Sequence, residues 1–159
     1  MTYTLIDSVT LGSSASSVTF SGISATGKGD LVLVVEAVGS GGGINLNVNF
    51  NSDTGSNYPW VAMSGDAYGG AYSSSGTNTW VSGDSTDSTN KILSTFQIMD
   101  HSATDKHKSV LVRSSKYDQT KAWAARWANT SAITSVAIST NFNSFAAGGT
   151  FHLYQLVSE

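Results

Sequence analysis

The chain has 159 residues and a formal net charge of −3 at pH 7. A chain of this length suits one domain that buries about two-thirds of the surface of its unfolded form, so we expect a single domain over residues 1–159. Charged residues make up 12% of it, against about 25% in an ordinary soluble domain. We therefore expect an exterior of Ser, Thr, Asn and Gly rather than of Lys and Glu.

The charge balance and the missing residue types argue against several kinds of protein. Without a basic excess, the chain lacks the Lys and Arg contacts that dominate nucleic-acid affinity. It contains no cysteine, so neither disulfides nor thiolate metal sites are expected. No run approaches the roughly 20 apolar residues that cross a membrane, and no basic leader precedes the first apolar residues. We expect synthesis in a cytoplasm, with neither a nucleic-acid nor a membrane partner.

Strand patterns begin near the start of the chain. TLIDSVTLG and SVTFSG predict short strands around the turn at residues 12–14. The segment DLVLVVEAVG, residues 30–39, is apolar on both faces and rich in valine, which predicts a central strand covered from both sides. The next segment, GINLNVNFN, alternates asparagines with apolar residues, as a half-buried strand does; the apolar residues are Ile44, Leu46, Val48 and Phe50.

The middle of the chain, residues 51–90, mixes small turn residues with aromatic ones. It is longer than the unstructured loops of compact domains, so we expect it to contain short strands or an ordered excursion. Its aromatic side chains could pack the segment onto the rest of the domain, contact another subunit, or stack on sugar rings. These three alternatives stay open for Tyr58, Trp60, Tyr68, Tyr72 and Trp80.

Five further strands are predicted in the second half, in KILSTFQIM, KSVLVRS, AWAARWAN, AITSVAIST and TFHLYQLV. No segment shows a sustained helical stripe. About eight to ten strands at this spacing predict an all-β fold, a single-domain antiparallel β-sandwich, for which we expect a jelly roll. The last strand follows the glycine turn FAAGG and is apolar on both sides, which favours a position inside a sheet rather than at an open edge.

The densest group of possible metal ligands is DHSATDKH, with Asp100, His101, Asp105 and His107. A metal site needs three or four converging ligands, and a polar hairpin loop between two strands explains the group equally well. The segments NSDTGSN and GDSTDSTN are rich in oxygen ligands, but they lack the last acid of an EF-hand, and turns explain them too. We expect no metal.

Catalytic patterns are missing from the sequence. The G-x-S-x-G nucleophile elbow is absent, and no glycine-rich phosphate loop follows a strand and opens a helix. Only two glutamates are present, Glu36 and Glu159, which leaves little material for a carboxylate pair. We therefore expect a protein that is not an enzyme, with no catalytic residue and no cofactor.

Weakly charged, proline-poor strands expose sheet edges that can pair with other chains. Lysine, proline and bulges normally blunt such edges, and the first two are scarce here. A closed oligomer or a larger scaffold would cover the edges. The composition therefore favours assembly.

Two blocks of the sequence resemble small virion surface proteins of tailed bacteriophages. The closing block is WANTSAITSVAISTNFNSFAAGGTFHLYQLV, and the opening block is LIDSVTLGSSASSVTFSGI followed by KGDLVLVV. Together they cover residues 5–35 and 127–157, about two-fifths of the chain. The chain departs from the usual pattern at Gly149-Thr150, where a Gly-Ser pair is more familiar, and at Gln155, where a glycine often stands.

This resemblance implies a β-sandwich or jelly-roll module on the capsid surface of a virion, commonly a homotrimer, without catalytic residues. Because the chain has no coiled-coil, collagen-like or β-helical stretch, we expect a capsid decoration (cement) protein that bridges neighbouring subunits of the major capsid protein. The alternative is a tail-fibre module or a carbohydrate-binding or receptor-binding module that uses Tyr68, Tyr72 and Trp80.

Overall fold

The computed structural model describes residues 2–157, which form strands and connecting turns. Among them is no helix that could span a membrane. In chain order the strands are β1 (Thr2–Thr10), β2 (Ser17–Ser21), β3 (Asp30–Ala37), β4 (Gly39–Ser40), β5 (Ile44–Phe50), β6 (Tyr58–Asp66), β7 (Ala71–Asn78), β8 (Val81–Thr86), β9 (Ile92–Ile98), β10 (Lys108–Lys116), β11 (Gln119–Trp127), β12 (Ser135–Thr140), β13 (Ser144–Phe145) and β14 (Thr150–Val157).

Two antiparallel sheets pack against each other, so the predicted all-β sandwich is confirmed. The larger sheet has eight strands in the order β1-β14-β3-β9-β10-β11-β6-β7, and the smaller has four in the order β2-β12-β5-β8. Strands β4 and β13 form a separate pair. The core lies between the two sheets and is built from the side chains that alternate inward along each strand. This strand order does not by itself establish a jelly roll, which stays a prediction.

Strand β5 shows most directly why alternation specifies this fold. Ile44, Leu46, Val48 and Phe50 are fully buried in the core, whereas the asparagines between them lie on the opposite face. Burial of each such apolar side chain contributes about 1.5–3 kcal/mol. A slip of one residue in the register would bring the asparagines into the core, so the sequence permits one pairing only.

Strands β14 and β3 lie side by side in the interior of the larger sheet. The predicted position of the last strand is confirmed, because β14 pairs with β1 on one side and with β3 on the other. Strand β3 is central, as expected, but the smaller sheet covers only one of its faces. On the other face Val32 is buried between its register neighbours Tyr154 and Gln97, not beneath a second layer.

Residues 51–90 contain β6, β7 and β8, which confirms that this segment holds ordered strands. Together with the two-residue strands β4 and β13 they raise the number in the described chain to fourteen, above the predicted eight to ten. The sequence does not identify β7 (AYSSSGTN) and β8 (VSGDST) as strands, because both are built mainly from small polar residues. Strands β6 and β7 form a hairpin at one end of the larger sheet, with β7 as the edge strand.

The two sheets approach closely at Gly83 in β8. The hydroxyl oxygens of Ser94 and Ser114 lie 2.6 and 2.8 Å from the carbonyl oxygen of Gly83, and these buried polar groups therefore satisfy one another. A Cβ atom at this position would lie 2.4 Å from Cζ of Phe96 and 2.5 Å from Cδ2 of Leu46. Only glycine fits between the sheets here.

Candidate functional site

A cleft of about 380 Å³ lies between the β6–β7 hairpin and the β8 edge of the smaller sheet. The inward-facing side chains of the hairpin form one side. The outward-facing polar side chains of β5 and β8 form the other. The residues that line it are Asn45, Asn47, Trp60, Ala62, Met63, Ser64, Tyr72, Ser74, Asn78, Trp80, Ser82, Asp84, Ser85, Lys121 and Trp123.

Four aromatic side chains supply the apolar part of the cleft: Trp60, Tyr72, Trp80 and Trp123. The Trp60 ring lies against Gly76 of the neighbouring strand, where an added Cβ would come within 3.2 Å of Cζ2 of the indole. When the Asn78 amide is oriented to satisfy its neighbours, its oxygen accepts a 3.2 Å hydrogen bond from Trp60 Nε1. These contacts fix the orientation of the Trp60 ring.

An ion pair forms the polar centre of the cleft. Nζ of Lys121 donates a hydrogen bond of 2.5 Å to Oδ1 of Asp84 and also lies 5.8 Å from the centre of the Trp123 ring. The Asp84 side chain is 2% exposed and that of Lys121 is 24% exposed. The other carboxylate oxygen, Oδ2 of Asp84, has no hydrogen-bond partner among the described residues.

A bulge in β8 places Asp84 in this position. Asn45 pairs with Ser85 and Asn47 with Ser82, so Gly83 and Asp84 together stand opposite a single residue of β5. The backbone of Asp84 has φ = 79°, in the left-handed region that aspartate tolerates better than most residues. Bulges often redirect a side chain beside a binding site, and this one brings the carboxylate to Lys121.

The structure brings together three of the five aromatic residues singled out in the sequence. Trp60, Tyr72 and Trp80 line the cleft. Tyr68 lies in the turn of the β6–β7 hairpin, 83% exposed and outside the cleft. Tyr58 is fully buried in the core, which favours the packing alternative for this residue.

Several residues of the cleft were missed in the sequence. Trp123 was assigned only to a strand, while Asp84 and Lys121 lie 37 positions apart and carry no recognisable motif. The alternation in β5 predicts only that Asn45 and Asn47 lie on the face opposite the core. The one available signal was the run of asparagines on a single strand face, since amides in such a row are well placed to bind a polar ligand.

The segment DHSATDKH forms the loop between the paired strands β9 and β10, as the hairpin alternative proposed. Asp100 forms an ion pair with Lys106, and His101 is buried with its two ring nitrogens beside the carbonyl oxygens of Gly29 and Ser24. Over residues 2–157, no group of three or more His, Cys, Asp or Glu side chains is placed to hold a metal ion.

Turns account for the two oxygen-rich segments. Asp53 accepts hydrogen bonds from the backbone N–H of Gly55 and from the Asn57 amide. Asp87 accepts from the backbone N–H groups of Thr89 and Asn90. In both segments the carboxylate therefore caps its own loop.

A second surface lies on the face of the eight-stranded sheet that points away from the core, which we term the outer face. One cross-strand row runs from Val61 through Leu111 and Val32 to Leu5. Six of the large apolar side chains that the described chain exposes lie on this face: Tyr3, Leu5, Val61, Met63, Leu93 and Leu111.

Comparisons with known proteins identify no relative for this chain: no protein-family model, no curated protein and no solved structure matches it. The resemblance to virion surface proteins therefore stays a prediction, and the function is inferred from the two surfaces themselves.

Proposed function

We propose that the protein is a non-enzymatic structural protein of a virion, a capsid decoration protein that binds the capsid exterior through its outer face. In this proposal it bridges neighbouring subunits of the major capsid protein and acts as a homotrimer. The observation that carries the proposal is the outer face, a sheet surface eight strands wide that exposes six large apolar side chains and that no described part of the chain covers.

The composition of the outer face suits contact with another protein. Monomeric proteins rarely expose large contiguous apolar patches, and burial of such a patch is worth about 25 cal/mol per Å². The charged strand residues of this face are Asp30, Glu36, Arg113 and Arg126, whose formal charges cancel. Exposed large apolar side chains among strand charges that cancel favour a close protein contact over nucleic acid or a charged surface.

The edges of the larger sheet support oligomer formation. Edge strand β7, AYSSSGTN, contains neither a charged residue nor proline, and edge strand β1 contains one aspartate beside a bulge. Such edges readily pair with another chain unless something covers them. Light scattering over a range of protein concentrations tests this: a trimer is expected, and a monomer at every concentration contradicts the homotrimer.

Decoration requires no chemistry. A protein that binds the assembled shell but not its dissociated subunits stabilises the shell by mass action. Addition of the purified protein to shells that lack it should therefore raise their resistance to heat and denaturant. Shells whose melting is unchanged by saturating protein would refute the decoration role.

A second candidate function, a tail-fibre or receptor-binding module, is favoured by the aromatic cleft. Pockets that combine aromatic side chains with a few placed polar groups are typical of small-molecule and saccharide sites. The position of the protein on the particle, head or tail, separates this candidate from decoration.

A further inference from the structure

We infer that the cleft between the β6–β7 hairpin and β8 binds a single uncharged pyranose ring of a carbohydrate. The outer face and the cleft use alternate residues of β6, Val61 on one side and Trp60 on the other. Sugar binding therefore goes beyond the proposed capsid contact and uses a largely separate surface, although Met63 borders both.

The lining of the cleft matches the two kinds of surface that a pyranose presents. A pyranose ring has an apolar C–H face and a rim of hydroxyl groups, each of which can donate and accept a hydrogen bond. The indoles of Trp60, Trp80 and Trp123 offer flat apolar surface. Serine hydroxyls and asparagine amides surround them and offer both donors and acceptors.

An unpartnered polar group inside the cleft points to a ligand. Oδ2 of Asp84 is buried and lacks a donor within the described chain. A buried polar atom of this kind is rare in native proteins and calls for an explanation. Asn47, 4% exposed, lines the same cleft. A ligand hydroxyl supplies the missing donor to Asp84 and pairs with the Asn47 amide.

The charge and size of the cleft define the class of ligand. Among the described residues that line it, only Asp84 and Lys121 are charged, and their opposite charges cancel, which disfavours an anionic or cationic ligand. A volume of about 380 Å³ lies within the range of about 300–1,000 Å³ for small-molecule sites. Lys121 remains partly exposed, so N–H groups not used by Asp84 can donate to the ring hydroxyls.

Titration of the isotope-labelled protein with methyl pyranosides of glucose, galactose, mannose and N-acetylglucosamine tests the inference. The chain has four tryptophans, so the indole N–H region of an NMR spectrum holds few signals. Signals of the cleft indoles Trp60, Trp80 and Trp123 should shift with at least one sugar. The signal of Trp127, buried in the core, should stay in place and serves as an internal control.

Two tyrosines of the same hairpin provide matched variants. Tyr72 lines the cleft and Tyr68 does not, and both are exposed, so neither substitution disturbs the core. Tyr72→Ala should weaken binding by about tenfold, and Asp84→Asn should do the same, whereas Tyr68→Ala should leave the affinity unchanged. No shift of any cleft indole with all four sugars, or equal losses for Tyr68→Ala and Tyr72→Ala, would overturn the inference.

Discussion

The indole Nε1 of Trp127 donates a 2.7 Å hydrogen bond to Oδ2 of Asp53, which ties the loop after β5 to the end of β11. Asp53 also accepts hydrogen bonds from Gly55 and Asn57. Burial opposes ionisation of the Asp53 carboxyl, but the donors from Trp127, Gly55 and Asn57 outweigh it, so its pKa lies below the ordinary value of 3.8. This loop therefore belongs to the packed structure.

Replacement of Asp53 by asparagine should destabilise the protein by about 2 kcal/mol, since hydrogen bonds to a charged group are worth about 1.5–3 kcal/mol. The pKa of the Asp53 carboxyl is lower in the folded than in the unfolded protein. Its contribution to the free energy of unfolding is therefore present above pH 3.8 and is lost as the pH falls through the folded pKa. Urea unfolding between pH 7 and pH 3 should show a larger loss of stability at acid pH in the wild type than in Asp53→Asn. Asp105→Asn, on an exposed loop, is the control and should change stability by less than about 0.5 kcal/mol.

Gly83→Ala should destabilise the protein by about 1–3 kcal/mol, the usual cost of an added methyl group in a packed core. The new Cβ would press on Phe96 and Leu46, where the two sheets meet. Gly12→Ala is the matched control, because no atom lies within 4 Å of a Cβ built there. Equal midpoints in urea for the two variants would show that the sheets do not meet as described.

Lys108 is fully buried, with Nζ 3.2 Å from the carbonyl oxygens of Lys106 and Thr130 and 5.8 Å from the Trp127 ring. Burial lowers its pKa from 10.5. Because the folded state then binds fewer protons than the unfolded state, stability increases as the pH rises toward 10.5. As the pH rises toward 10.5, the free energy of unfolding of the wild type should increase relative to that of Lys108→Met. A difference between the two proteins that does not change with pH would contradict the prediction.

Leu111→Lys on the outer face should abolish the protection of capsid shells without unfolding the protein. Leu111 is 42% exposed in the centre of this face, so the new charge stays solvated in the free protein but is buried against the capsid. Thr19→Lys, on the exposed face of β2, is the matched control and should protect as the wild type does. The melting temperature of capsid shells, measured after addition of each variant, shows which variant still protects them.

The sequence predicted those parts of the fold in which one strand carries its own signal. The alternation around Leu46 predicted that one face of β5 packs in the core. The two-sided apolar pattern around Leu153 predicted that β14 lies inside a sheet. Strand β7 was not recognised, since Ser73–Ser75 have no apolar periodicity and the strand forms because β6 offers hydrogen-bond partners.

The two surfaces were harder to predict because both depend on pairing between distant strands. Val61 and Leu111 lie 50 positions apart in the sequence, and only the shared partner strand β11 brings them into one row. The Asp84–Lys121 ion pair likewise forms across the two sheets. The aromatic side chains of the segment 51–90 predicted part of the cleft, because they include Trp60, Tyr72 and Trp80. Trp123 lies outside that segment and was not predicted.

Electron microscopy of the source particle tests the proposed function most directly. We expect density for the protein on the outside of the head, as trimers, with the outer face around Leu111 against the major capsid protein. Density on the tail, its absence from the particle, or an outer face that points to solvent would contradict it.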